Sequence, residues 1–339
     1  MPTTLELGSK LRAVDQGLGT IPFDSGNTRT LEVQKGALVK GIILRLAGTL
    51  VIGVANATVF SEAPLGLLKS VEVVADGNRT LFKASGRNLF RLAHHYQQKQ
   101  GELSPPLNTV GTRAFSTTVY LSAEAIGMRR PQESYYDTRM FTRTDLVINW
   151  GAATDIATAG GGGTIAIGAG TVVDVQLAQT TEGERDILFD RVVLQQELDV
   201  VASASELLMK IPQSGLLAGV LIQTDRDAGG GAGPVPVDDL VNFVSLKSDN
   251  LVYHRKKLDW DTLQRRVVQE RQIDGGASAG AQIAGYALVD LAEDGMLSSC
   301  LNTYGLQDPF MEFDVTRTSG TEKVRATFVF YQPRAVAVA

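Results

Sequence analysis

A single cysteine, Cys300, stands in a chain of 339 residues. One thiol allows no intrachain disulfide and no multi-cysteine metal site. Histidine is nearly as scarce, with only His94, His95 and His254. The first two are adjacent, so on a helix they point about 100° apart and cannot both face one metal. A β-barrel metalloenzyme needs a cluster of histidines and a carboxylate on strands of one barrel, and that constellation is absent. Positive charge is not in excess: 32 basic residues face 37 acidic ones, for a net charge of −5. Bulk attraction to nucleic acid or to an anionic membrane is therefore not expected. Long apolar runs are missing too. Gly36–Phe60 is interrupted by Lys40 and Arg45 and broken at Gly36, Gly41, Gly48 and Gly53. A charge at the bilayer centre costs about 2.5–3.5 kcal/mol, so the segment reads as two strands joined near Ala47–Gly48. The opening residues show no apolar h-region, and no signal peptide is expected.

The motifs that remain are weak. Gly276–Gly280 matches the G-x-S-x-G nucleophile elbow. That elbow needs a strand before it, a helix after it, and an acid and a histidine further on. No histidine follows His254, and the stretch reads as a loop. Gly160–Thr164 is glycine-rich but lacks the Gly-Lys-Ser/Thr ending that would meet phosphates. Arg129-Arg130, Arg255-Lys256-Lys257 and Arg265-Arg266 are short and flanked by acids, as on solvated faces or subunit contacts. Tyr135, Tyr136, Phe141 and Trp150 are assigned to core or interface packing. No catalytic, metal or cofactor-binding residue is assigned, and no cofactor is expected.

What the chain does contain is an internal echo. Leu31–Leu46 (LEVQKGALVKGIILRL) aligns without a gap with Met209–Thr224 (MKIPQSGLLAGVLIQT), 178 residues on. Leu38 meets Leu216 and Gly41 meets Gly219. Val33/Ile211, Ile42/Val220, Ile43/Leu221 and Leu44/Ile222 exchange one aliphatic for another, which a packed core tolerates. The echo continues in order. Val71 pairs with Val244, Asp76 with Asp249, Leu89 with Leu263 and Arg91 with Arg265. Asp145–Trp150 then matches Phe310–Val315, and Thr171–Gln179 and Arg325–Gln332 close the two copies. A shared order over most of the chain indicates duplication of one unit.

Strand signals dominate both copies, with Val, Ile, Leu, Thr and Phe in short alternating runs cut by Gly, Pro, Asn and Asp. Seven strands are expected in each, beginning at Thr30–Gln34 and at Glu206–Ile211. One helix interrupts each copy at the same point. Leu89, Leu92, Ala93 and Tyr96 share a face after a cap at Ser85 or Asn88. Trp260, Leu263 and Val267 do so after a cap at Asp259. Two glycine-rich stretches, Ala159–Gly170 and Ala228–Pro236, read as copy-specific loops. A composition 44% hydrophobic and 20% charged is that of a globular protein. The expected division is an arm over 1–27, a first unit over 28–180, a linker over 181–200, a second unit over 201–335 and a tail over 336–339.

An all-β tandem of two such units, with matched helices and no catalytic constellation, resembles the double jelly-roll major capsid proteins of tailless icosahedral viruses, including phages with an internal membrane. The resemblance spans roughly residues 28–335 and rests on the repeat rather than on a signature motif. It implies two tandem jelly-roll β-sandwiches, each of eight strands with one short helix inserted. It further implies a homotrimer of pseudo-hexagonal outline that tiles a shell, with no enzymatic activity. The implied partners are neighbouring capsid trimers, vertex or minor capsid proteins and an internal viral membrane, with no sequence-specific nucleic acid. The implied location is the virion, after assembly in the host cytoplasm. Two other readings stay open: a two-domain sandwich that binds glycan or receptor, and an enzyme on a bicupin scaffold.

Overall fold

The computed structural model describes residues 13–36, 38–60, 62–97, 103–104, 107–125, 131–180, 189–227, 234–249, 252–271, 284–292, 295–318 and 320–334. Its main strands fall into two series. The first comprises β1 (Ala13–Pro22), β2 (Thr28–Glu32), β3 (Leu38–Gly53), β4 (Leu68–Ala75), β5 (Arg79–Ala84), β6 (Gly111–Ser122), β7 (Thr144–Trp150) and β8 (Val172–Thr180). The second comprises β9 (Phe189–Val200), β10 (Ala204–Lys210), β11 (Leu216–Asp227), β12 (Val241–Ser248), β13 (Val252–Asp259), β14 (Tyr286–Asp290), β15 (Phe310–Val315) and β16 (Glu322–Pro333). Helix α1 (Gly86–Gln97) lies between β5 and β6, and α2 (Trp260–Arg271) between β13 and β14.

Connectivity is the same in both series. The first pairs β1-β8-β3-β6 in one sheet and β2-β7-β4-β5 in the other. The second pairs β9-β16-β11-β14 and β10-β15-β12-β13. Each is the eight-stranded jelly roll of two interlocked Greek keys, and every strand answers the one eight places later. Alternation explains which faces are inside. Along β7, Leu146, Ile148 and Trp150 are buried while Asp145, Val147 and Asn149 are only partly so. On β3 and β8, Ile42, Leu44, Leu46, Val173, Val175 and Leu177 fill the first core. Their counterparts Val220, Ile222, Val324, Ala326 and Phe328 fill the second.

The duplication reaches into backbone detail. Lys40 and Ala218 are each the extra residue of a bulge, opposite Ala178/Gln179 and Val329/Phe330. Their carbonyls accept from Ala123 and Leu291, both at 2.9 Å. Ahead of the bulge, Gly36 and Gly215 adopt φ of +116° and +127°, open to glycine but strained for other residues. Each donates its N–H to a buried hydroxyl, Thr138 Oγ1 at 3.0 Å and Thr303 Oγ1 at 3.2 Å. Asp76 and Asp249 both hold a left-handed φ, at 52° and 54°, at the hairpin that turns each fourth strand into its fifth. The helix caps are those expected: the Asn88 amide donates to Ser85 Oγ at 3.4 Å and the Thr262 amide to Asp259 Oδ2 at 2.9 Å.

Several sequence expectations are corrected. Residues 13–22, expected in an N-terminal arm, form β1, an edge strand paired with β8. Residues 189–200, expected in a linker, form β9, paired with β16 along its whole length. The first unit therefore starts before residue 28 and the second before residue 201; residues 181–188 and the tail 336–339 lie outside the described residues. The two strands expected on either side of Ala47–Gly48 are one continuous β3, because Ala47 and Gly48 stay in register with Ser116 and Phe115. Gly48 is required there by close approach: a Cβ would lie 2.2 Å from Thr171 Oγ1. Within Ala159–Gly170, Thr164–Ile167 pairs with Leu50–Gly53, extending the sheet beyond a turn. Among the described residues no helix is long and apolar enough to cross a membrane.

Candidate assembly surfaces

The two sandwiches meet along one seam. β5 and β9 pair in parallel, Phe82 opposite Val193 and Lys83 opposite Leu194, which fuses one sheet of each sandwich into a single continuous sheet. Because equivalent strands of the two units run in equivalent senses, a parallel joint makes the sandwiches stand the same way up. Both helices, the Thr164–Ile167 extension and Pro234–Pro236 of the β11–β12 connection thus emerge at one end of the molecule. Within that connection, residues 228–233 lie outside the described residues.

The seam buries an outer sheet face. Val193, Leu221, Tyr286, Leu288 and Val329 belong to the core cluster of the first sandwich although all five come from the second. Polar groups fix the docking. Glu62, 4% exposed, and Arg91, 7% exposed, form an ion pair. The Tyr286 hydroxyl donates to Glu62 Oε2 at 2.9 Å, and the Arg91 guanidinium lies 5.0 Å from the Tyr286 ring centre. Burial first, then the Glu62 charge, pushes the Tyr286 phenol well above its ordinary value. Asn88 Nδ2 donates to Thr327 Oγ1 at 2.7 Å, and the Ser85 amide to Gln195 Oε1 at 2.7 Å. Asp190, fully buried, receives Arg79 and Arg334. The Tyr136 hydroxyl donates to the Arg191 carbonyl at 2.8 Å, and Arg191 Nη1 to the Ser122 carbonyl at 2.6 Å.

The repeat makes a second, vacant half of this joint visible. Leu221, Gln223, Leu288, Tyr286 and Val329 are the seam-facing positions of the second unit. The registers equate them with Ile43, Arg45, Tyr120, Thr118 and Ala178 of the first. Gln223 has no exposure, whereas 62% of the Arg45 side chain is exposed. Ile43, Tyr120 and Ala178 are half-buried and Thr118 is exposed. In the same way β13, the counterpart of seam strand β5, is an edge strand. It carries exposed Tyr253, Arg255, Lys256 and Lys257. Among the described residues, each sandwich thus leaves more exposed the surface that its twin uses in the seam.

The residues weighed for chemistry are scattered. His94 is buried in α1, and burial, aided by the Arg91 charge, lowers its pKa from 6.5. His254 shares a 2.9 Å hydrogen bond with Ser248 Oγ on the far sandwich. The side chain of His95, residues 276–280 and Arg129-Arg130 fall outside the described residues. Among the described residues no group of three or more His, Cys, Asp or Glu is placed to hold a metal. Tyr135, Tyr136, Phe141 and Trp150 are all buried, between 1% and 7% exposed, and pack inside as expected. Cys300 is a buried thiol in no disulfide, its Sγ 3.9 Å from the Met296 carbonyl. The seam residues Glu62, Arg91 and Tyr286 carried no signal beyond the Arg91/Arg265 match.

The His94 shift gives a pH dependence with a definite sign. A lowered folded pKa favours the neutral ring, so its contribution is present above about 6.5 and is lost as pH falls toward the folded value. Unfolding free energy measured from pH 7.5 to 5 should decline in the wild type, and His94→Phe should flatten part of that slope. An unchanged slope in the variant would contradict the assignment.

No protein-family model matches the sequence, and no curated protein matches it. Solved structures do match. A chain from the atomic structure of Sulfolobus turreted icosahedral virus superposes with a TM-score of 0.69 at 16% identity, covering 95% of this chain and 91% of that one. The major capsid protein P2 from bacteriophage PM2 gives 0.62 at 12% identity, covering 96% and 99%. The Faustovirus major capsid protein gives 0.61 at 8% identity, covering 99% and 95%. The fold of this chain is the double jelly roll.

Proposed function

We propose that this double jelly-roll chain is a major coat subunit of an icosahedral virus and assembles as a trimer. The observation that carries the reading is the pair of half-joints: among the described residues, each sandwich leaves more exposed the surface that its twin buries in the seam. The second sandwich of one chain can dock on the first sandwich of the next as the two dock within a chain. Contacts of this head-to-tail kind generate rings when the rotation closes and filaments when it does not. Closure at three chains gives a ring of six similar sandwiches and six similar flanks, a shape that tiles a shell. The likeness to major capsid proteins over nearly the whole chain supports that closure.

The parallel seam sets the orientation. All sandwiches of the ring stand the same way up, so the loop-bearing end of every one falls on the same surface of the shell. Insertions there vary without disturbing either core. The role is structural, without catalysis, in the virion after assembly in the host cytoplasm. Neighbouring trimers and minor or vertex proteins would meet the flanks, and an internal membrane would lie beneath. Negative-stain microscopy of the concentrated protein tests this: particles of threefold symmetry and hexagonal outline are expected. Isolated two-lobed particles at every concentration would overturn it.

A further inference from the structure

The strand pairing at the centre of the seam has a second copy whose halves do not meet within the chain. In the seam, Phe82 of β5 stands opposite Val193 of β9, and Lys83 opposite Leu194. The counterpart of β5 is β13, and that of β9 is β1. Among the described residues each of these lies at the edge of its sheet, β13 beside β12 and β1 beside β8. The registers carry the equivalence to single residues. Phe82 pairs with Val73 and Arg255 with Leu246, so Arg255 takes the place of Phe82 and Lys256 that of Lys83. Val193 pairs with Val329 and Asp15 with Ala178, so Asp15 takes the place of Val193 and Gln16 that of Leu194.

The chemistry of the two copies differs. Phe82 and Val193 are 1% and 0% exposed and share one core cluster. Arg255 and Asp15 are both exposed, and their charges are opposite. On β13 the positive charge continues into Lys256 and Lys257, also exposed. Lys257 has no equivalent in β5. It holds a φ of 48°, and its amide donates to Ser245 Oγ at 3.1 Å. Lys256 and Lys257 together oppose the single residue Ser245, which makes a bulge. A charged, bulged edge resists pairing with a copy of itself, since like charges set across a contact are costly. Strand β1 carries one charge, the acid Asp15. Edge β13 therefore rejects another β13 and suits β1.

We propose that β13 of one chain adds in parallel to β1 of a second copy, with Arg255 opposite the partner's Asp15 and Lys256 opposite the partner's Gln16. This rests on the trimer reading above and supplies its register. The two joints then differ in kind. The one within a chain is apolar and forms with the fold, because burial of Phe82 and Val193 completes a core. The one between chains is ionic, so each chain folds first and associates afterwards. Opposite charge on the two edges speeds their encounter and fixes which strand meets which.

Sedimentation equilibrium of the full chain tests the joint. Arg255→Asp and Asp15→Arg each set like charges across it, and each should weaken association about tenfold or more at an unchanged melting temperature. The two together restore the pair with its sign inverted, and association should return to within about threefold of the wild type. Gln16→Cys with Lys256→Cys leaves the ion pair in place and reads the register. Cross-strand neighbours lie about 4.8 Å apart, within disulfide reach, so oxidation should link three chains and reduction should separate them. A wild type of one chain mass at every concentration would remove the trimer and this joint together. A wild-type trimer indifferent to Arg255→Asp, not restored in the double reversal, or giving no cross-link would overturn the joint alone. Should a reversal variant not fold, the cysteine pair decides it.

Discussion

Replacing Glu62 by glutamine is expected to destabilise the chain by about 3–5 kcal/mol, the cost of breaking a buried ion pair so that one charge is left uncompensated. Glu62 is 4% exposed, faces Arg91 at 7%, and accepts the Tyr286 hydroxyl from the other sandwich. Glutamine keeps the shape and removes the charge, so the loss reports the Arg91 cation rather than a cavity. Glu62→Leu combined with Arg91→Met removes both charges and should recover most of the loss, because apolar replacements of a buried pair are often neutral or stabilising. Urea unfolding measures both. The single variant should also separate the melting of the two sandwiches, since the triad bridges them, and two transitions in place of one would show it. A loss under about 1 kcal/mol with a single transition, the range of an ordinary surface change, would contradict a seam held by this triad.

The second large effect concerns assembly rather than folding. Ile43 sits on the vacant face at the position where Leu221, fully buried, packs in the seam. Ile43→Asp places a charge at the centre of the proposed inter-chain contact, where an unpaired buried charge costs several kcal/mol. In the isolated chain the residue is only half-buried, so folding stability should change by no more than about 1 kcal/mol. Sedimentation equilibrium should therefore show the association constant falling by about a hundredfold or more, equivalent to some 3 kcal/mol, with an almost unchanged melting temperature. Association equal to that of the wild type would place the contact elsewhere.

The duplication was legible because core positions keep their apolar volume while their identities drift. Ile42/Val220 and Leu44/Ile222 lie on matching strands, all buried. Asp76 and Asp249 stood in the alignment as a bare identity; the structure supplies the reason, a left-handed φ at both. The first strand of each unit was not legible. In β1 a bulge falls between Gly17 and Gly19 and interrupts the alternation. In β9 the pattern is masked by burial on both faces: Asp190 and Arg191 read as solvent-facing but are 0% and 1% exposed, Asp190 meeting Arg79 and Arg191 Nη1 meeting the Ser122 carbonyl across the seam. Strand β5 escaped notice for a related reason, since its six residues end directly at the cap of α1. The seam itself left no trace in spacing. Tyr286 and Glu62 are 224 residues apart, and only the folding of both sandwiches brings them together.

Light scattering across a concentration series reads most directly whether the joint within one chain is reused between chains. Three chain masses in the dominant species, persisting on dilution until a single cooperative dissociation, are what six like sandwiches in a closed ring require. One chain mass throughout, in a protein that melts as a folded species, would leave the vacant half-joints without a partner and remove the case for a shell.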